Sequence, residues 1–241
     1  MKGEKILWIL IYKVYGIVMY GLNNQDFILK KENMLLVLDG CSESIYSEVG
    51  TRLFAQLFAS LKDYDKADLF EKNVNFTFDK LIKQCKEWFQ NKDEYENFIN
   101  NNLLFTILAC FKQSDKFIVK VFGDGYIVTQ NYQDNVSYIT LSYGVVTHRG
   151  KQPPYYSYKY CDVKLDCIDE YKFKTFIFDT KKFKRVGVAT DGIKPIAIGA
   201  VKDFDKEIVN DNSEAGKYII KKNKNSFTDD VTIGILSNGG I

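Results

Sequence analysis

Aspartates stand at the ends of apolar runs along this chain. Asp39 follows Leu35-Leu-Val-Leu38, and Asp191 follows Val186-Gly-Val-Ala-Thr190. Asp229 and Asp230 precede Val231-Thr-Ile-Gly-Ile-Leu236. Asp124 follows Phe117-Ile-Val-Lys-Val-Phe-Gly123, and Asp26 closes Asn24-Gln-Asp26. A carboxylate at the end of a buried strand costs free energy unless it is paired. Several that converge repel one another and require a cation. Their hard oxygen donors suit Mg²⁺ or Mn²⁺. Taken singly, each Asp-Gly or Asp-Asp pair reads as an ordinary turn former. Taken together, the strand-end aspartates favour a metal site.

Other chemistries lack their residues. His148 is the one histidine, in Thr147-His-Arg-Gly150, so a histidine-rich metal centre is excluded. There is no G-x-S-x-G elbow, no cysteine followed six positions on by arginine, and no G-x-x-x-x-G-K-[ST] or G-x-G-x-x-G loop. The cysteines number 5, with no C-x-x-C pair, which argues against structural zinc and for free thiols in a reducing, cytoplasmic setting. A net charge of +2 gives no basic excess for nucleic acid. The apolar runs Ile6–Tyr12 and Val14–Tyr20 are split by Lys13. They are too short to span a bilayer and read as two strands, so no membrane association is expected.

The elements that must position the aspartates follow from periodicity. Met34–Leu38 reads as a buried strand turning at Asp39-Gly40. Residues 47–61 read as an amphipathic helix with Val49, Leu53, Leu57 and Leu61 on its apolar row and Ser44 or Ser47 as its cap. A second helix is predicted over 77–100, with Leu81, Cys85, Trp88 and Phe89 on one stripe. Strands are predicted over 103–111, 116–122, 126–130, 137–143, 171–178, 185–190 and 231–236, and part-helix over 204–221. Strand-rich stretches with helices grouped between them indicate an α+β sandwich. With 241 residues, 3 prolines and no linker-like stretch, residues 1–241 read as a single domain.

The order of these motifs resembles the protein phosphatase 2C family. It runs Asn24-Gln-Asp26, strand-Asp39-Gly40, Ser47-Glu-Val-Gly50 opening a helix, Val121-Phe-Gly-Asp124, Ala189-Thr-Asp-Gly192, then Asp229-Asp-Val-Thr232 opening the last strand. The resemblance covers nearly the whole chain and is to a divergent, bacterial-type member. It implies a four-layer α-β-β-α sandwich of two antiparallel sheets flanked by helices. It further implies that Asp39 bridges two Mg²⁺ or Mn²⁺ ions, Gly40 offers its carbonyl, Asp191 and Asp229 hold the first ion, and Asp26 serves the second. Asp124 matches the aspartate of a third, weaker site, and Asp230 takes a lesser role.

The implied activity is hydrolysis of phosphoserine and phosphothreonine in a protein substrate, by water activated between the two cations, in a monomer. Two departures stand out. Asp39-Gly-Cys-Ser-Glu43 lacks the later glycines of Asp-Gly-x-Gly-Gly, and Cys41 stands where some relatives have a histidine proposed as general acid. Tyr20, Gly21, Leu22 and Asn23 offer no phosphate-holding arginine, for which Arg52 is the first candidate substitute. They keep open a catalytically weak or inactive module that acts by binding a partner, and a hydrolase of some other phosphoester.

Overall fold

The fold is described from a computed structural model over residues 7–12, 24–142, 145–147, 150–161 and 171–238. The expected strand Val14–Tyr20, the Gly21 position and His148 lie outside the described residues.

Twelve strands and six α-helices are described. The first sheet contains β1 (Leu7–Tyr12), β6 (Gly125–Asn131), β7 (Val136–Leu141), β11 (Phe183–Ala189) and β12 (Val231–Ser237), in the order β1-β12-β11-β6-β7. The second contains β2 (Phe27–Lys31), β3 (Met34–Gly40), β4 (Phe105–Gln113), β5 (Lys116–Phe122) and β10 (Lys174–Asp179), in the order β10-β5-β4-β3-β2. Every pairing is antiparallel. A short pair, β8 (Val145–Thr147) and β9 (Gly150–Gln152), stands apart.

Alternation along the strands explains the layers. Leu35 and Val37 face the other sheet and pack with Leu108, Val119, Ile127, Val186 and Val188. Met34, Leu36 and Leu38 point the opposite way, against α1 (Ser47–Ala59) and α2 (Phe70–Trp88). The first sheet does the same with Val231, Ile233 and Ile235, which pack under α4 (Lys194–Ala197), α5 (Phe204–Val209) and α6 (Ser213–Lys222). The result is the expected four-layer sandwich. Burial on both faces explains why β3 reads as an unbroken apolar run.

The helices correct several expectations. The buried face of α1 is Gly50, Thr51, Phe54, Ala55 and Phe58. Val49 is 39% exposed, and Leu53 and Leu57 sit at the margin. A strict every-fourth-residue row turns by about 40° per step around a helix, so it leaves the buried face. The aromatic pair Phe54 and Phe58, with ring centroids 5.7 Å apart, sets the true one. Neither candidate serine caps α1: Ser44 Oγ donates to the Asn100 carbonyl and Ser47 Oγ to the Cys41 carbonyl. The predicted second helix is two. α2 ends at Trp88, which is 60% exposed, and α3 (Lys92–Asn102) restarts where the Asn91 side chain accepts from the Glu94 N–H. Asp39 and Gly40 are the last residues of β3, where a turn was expected.

Candidate active site

Each aspartate reaches the site from a different strand end. Asp39 closes β3, opposite Thr106 on β4. Asp26 lies one residue before β2, the neighbour of β3. Asp124 sits in the turn that carries the chain from β5 in one sheet to β6 in the other. Asp191 follows β11 and opens a short 3-10 turn, Asp191–Ile193. Asp229 lies just before β12, the partner of β11. A reciprocal pair ties these last two segments together. The Thr190 N–H donates to the Thr232 carbonyl at 3.0 Å, and Thr190 Oγ1 accepts from the Thr232 N–H at 3.1 Å. Gly192 sits so close to this pair that a Cβ there would lie 1.8 Å from the Asp230 carbonyl.

Asp39, Gly40, Asp124, Asp191 and Asp229 line one cavity of 170 Å³, with Cys41, Ser42, Glu43, Thr106, Pro153 and Tyr155. Asp26 is not on that lining. It is 7% exposed, and its Oδ2 has no hydrogen-bond partner. Arg52, the candidate phosphate holder, does not line the cavity either. It is exposed, and its Nη2 donates to the Asn24 carbonyl at 3.5 Å.

The electrostatics follow from this crowding. Burial, then the Asp230 charge, pushes Asp26 up to about 8. Burial, then the carboxylates of Asp26, Asp191, Asp229 and Asp124, holds Asp39 well above the usual range. Burial and the Asp191 charge push Asp124 up to about 7, and the same two causes do so for Asp229. Burial of its carboxyl raises Asp191 as well, while Lys194 pulls against it. Carboxylates that raise one another in this way bind protons, or a cation, in preference to standing ionised together.

The donor set is therefore chemically suited to a hard divalent cation, and the partnerless Asp26 oxygen points the same way. The arrangement is not closed around an ion: among the described residues no three His, Cys, Asp or Glu side chains stand close enough to hold one. Asp39, Asp124, Asp191 and Asp229 share a cavity, and Asp26 adds to their field from off its lining, without the group sharing a single point.

Sequence reasoning missed Thr106, Tyr155, Gln25 and Thr51. Thr106 becomes visible only through its register opposite Asp39. Tyr155 is 4% exposed and comes from the segment after β9, so no local signal marks it.

No protein-family model and no curated protein sequence matches the chain. Solved structures do. A bacterial serine phosphatase superposes with a TM-score of 0.64 at 12% identity, over 98% of this chain and 99% of its own. The serine/threonine phosphatase Stp1 from Staphylococcus aureus gives 0.64 at 14% identity, over 98% and 96%. The catalytic domain of the serine threonine protein phosphatase PstP in complex with 2 manganese ions gives 0.59 at 14%, over 96% and 98%. At such identities the likeness is one of fold. Over nearly its whole length the chain has the fold of these bacterial serine/threonine phosphatases, which is the protein phosphatase 2C fold its aspartate motifs led us to expect.

Proposed function

We propose that this chain is a metal-dependent phosphoprotein phosphatase acting on phosphoserine and phosphothreonine. The observation that carries the reading is the gathering of strand-end carboxylates from both sheets around one cavity, where they raise one another's proton affinity. The manganese bound by a protein of the same fold supports it.

Asp39, Asp191, Asp229 and the Gly40 carbonyl would hold the ions, Asp26 would serve the second, and Asp124 a weaker third. Bound there, Mg²⁺ or Mn²⁺ would supply neutralisation of phosphoryl charge and an acidified water. The chain's own part is to hold these carboxylates at strand ends from both sheets. Position 40 is a glycine because a side chain there would collide with Gln25 and Ser47. Cys41 and Tyr155 wall the cavity with weakly polar surface.

The reading of a weak or inactive module that binds a partner rests on a specific observation. Among the described residues, no Lys or Arg lines the cavity, and Glu43 does. A substrate phosphate would meet only neutral donors there, such as Ser42 and Tyr155, and would bind weakly without the cations. Manganese-dependent release of phosphate from a phosphoserine and phosphothreonine peptide panel, beside p-nitrophenyl phosphate, decides. Hydrolysis of the peptides supports the enzyme. Hydrolysis of the small ester alone supports a different phosphoester substrate, and none at millimolar Mn²⁺ supports the module.

A further inference from the structure

Asp26 has to stay in place against repulsion from Asp230 and Asp229, yet it precedes an edge strand and leaves one oxygen unpartnered. The residue before it explains how. Gln25 is 4% exposed and is gripped on three sides. Its N–H donates to Asp230 Oδ2 at 3.1 Å, and its Nε2 donates to the Ser44 carbonyl at 3.2 Å. Its carbonyl accepts from Thr51 Oγ1 at 3.1 Å.

Thr51 is fully buried on α1, and its one hydroxyl proton is shared between the Gln25 carbonyl at 3.1 Å and the Glu48 carbonyl, one turn back, at 3.2 Å. The same Gln25 carbonyl sits over Gly40, where a Cβ would lie only 2.7 Å from it. Gln25 is thus the meeting point of the Asp26 segment, the end of β3, the loop after it, α1 and the start of β12. The Thr51 hydroxyl fastens that point to a helix rather than to another loop.

We infer that Thr51 is a positioning residue. Through the Gln25 carbonyl it fixes Asp26 and Gly40 relative to each other, and so sets the affinity of the site for a divalent cation. The inference rests on the proposed metal-dependent function. Groups that orient metal ligands from behind typically change metal affinity by about 10–100-fold when removed. Thr51 touches neither cation nor substrate in this scheme. Its effect falls on binding and leaves the rate at saturating metal nearly unchanged.

The test uses the full chain in three forms: wild type, Thr51→Val, which keeps the shape and removes the hydroxyl, and Thr51→Ser, which restores it. Thr51→Ala, which removes the same hydroxyl donor to the Gln25 carbonyl without adding a methyl in its place, is the second variant should Thr51→Val fold poorly. Two quantities are read. One is amide hydrogen exchange at Gln25 and Asp26 in the metal-free protein. The other is Mn²⁺ affinity by calorimetry.

The expected result is at least tenfold faster exchange at those two amides in Thr51→Val. Mn²⁺ affinity should be about 10–100-fold weaker, and Thr51→Ser should return both close to wild type. Unchanged exchange, or unchanged Mn²⁺ affinity against a wild type that binds the ion, overturns the inference alone. A wild type that binds no Mn²⁺ overturns the proposed function and this inference together.

Discussion

Replacing Asp26 with Asn tests the electrostatic reading without assuming any activity. Asp26 is buried, and its carboxyl is pushed from 3.8 up to about 8, by burial first and the Asp230 charge second. A group whose folded pKa lies above its unfolded one stabilises most below the unfolded value. That contribution is lost as pH rises through the folded value, because the folded state holds the proton longer. The metal-free chain should therefore be most stable near pH 4 and lose stability progressively toward pH 8. One pH unit in a proton affinity is worth about 1.4 kcal/mol, so the rise at Asp26 sets an upper limit of about 6 kcal/mol. Asp39, Asp229 and Asp230 share the same field, so part of that figure belongs to the group as a whole, and about half is the working expectation, on the order of 3 kcal/mol at pH 8.

Asp26→Asn keeps the shape, removes the charge, and adds an amide that can donate to Asp39. Urea unfolding followed by circular dichroism, in EDTA, across pH 4 to 8, reads the difference at constant slope. The mutant should match wild type near pH 4 and exceed it increasingly toward pH 8. Millimolar Mn²⁺ should reverse the order, because the cation binds the ionised carboxylates. A metal-free wild type that gains stability from pH 5 to 8, or a mutant whose curve runs parallel to it, would refute the reasoning.

Three further outcomes are expected. Asp39→Ala and Asp191→Ala should each lose at least a hundredfold in manganese-dependent phosphatase turnover while keeping the wild-type circular dichroism spectrum. Turnover near wild type in either would remove that residue from the proposed site. Gly40→Ala should destabilise by about 1–3 kcal/mol, as overpacking does, because its Cβ would stand 2.7 Å from the Gln25 carbonyl. Denaturant midpoints check this, and Mn²⁺ affinity should fall with it. Phe54→Ala should cost about 3–5 kcal/mol, the usual range for a buried aromatic, since Phe54 is fully buried against Phe58, Phe78 and Phe105. Its effect should appear in the thermal midpoint and leave the relative Mn²⁺ affinity of the folded protein unchanged.

The strands that were legible in the sequence are those buried on both faces. β3, β5 and β12 read as apolar runs because each packs a helix layer on one side and the second sheet on the other. β2 escaped notice for the opposite reason. Its sequence, FILKK, is short, and it forms a sheet edge with its last two residues exposed. The phase of α1 was misread where aromatic residues decide it, while Leu81 and Cys85 of the expected α2 stripe are buried. Phe54 and Phe58 bury more area than the leucines beside them, and a count of apolar spacings gives each the same weight. The break between α2 and α3 was written in Asn91 and Glu94, three residues apart. It was hidden because the apolar stripe runs on through Trp88 and Phe89.

The candidate site divides along the same physical line. Asp39, Asp124, Asp191 and Asp229 could be singled out because a charge that ends a buried run is anomalous locally, before any contact is known. Gln25, Thr51 and Thr106 are ordinary in their local sequence and acquire meaning through partners 19 to 205 positions away, or through strand register. A field of mutually repelling carboxylates needs both kinds of residue. The charges supply affinity for a cation, and in the metal-free chain they also push the segments that carry them apart. Neutral hydrogen bonds to the backbone resist that push without adding charge to the cavity. This is why the fastenings at Gln25 and Thr190 use a threonine hydroxyl rather than a cationic side chain. A lysine or arginine in those places would neutralise the carboxylates and weaken the affinity for a divalent ion that their gathering creates.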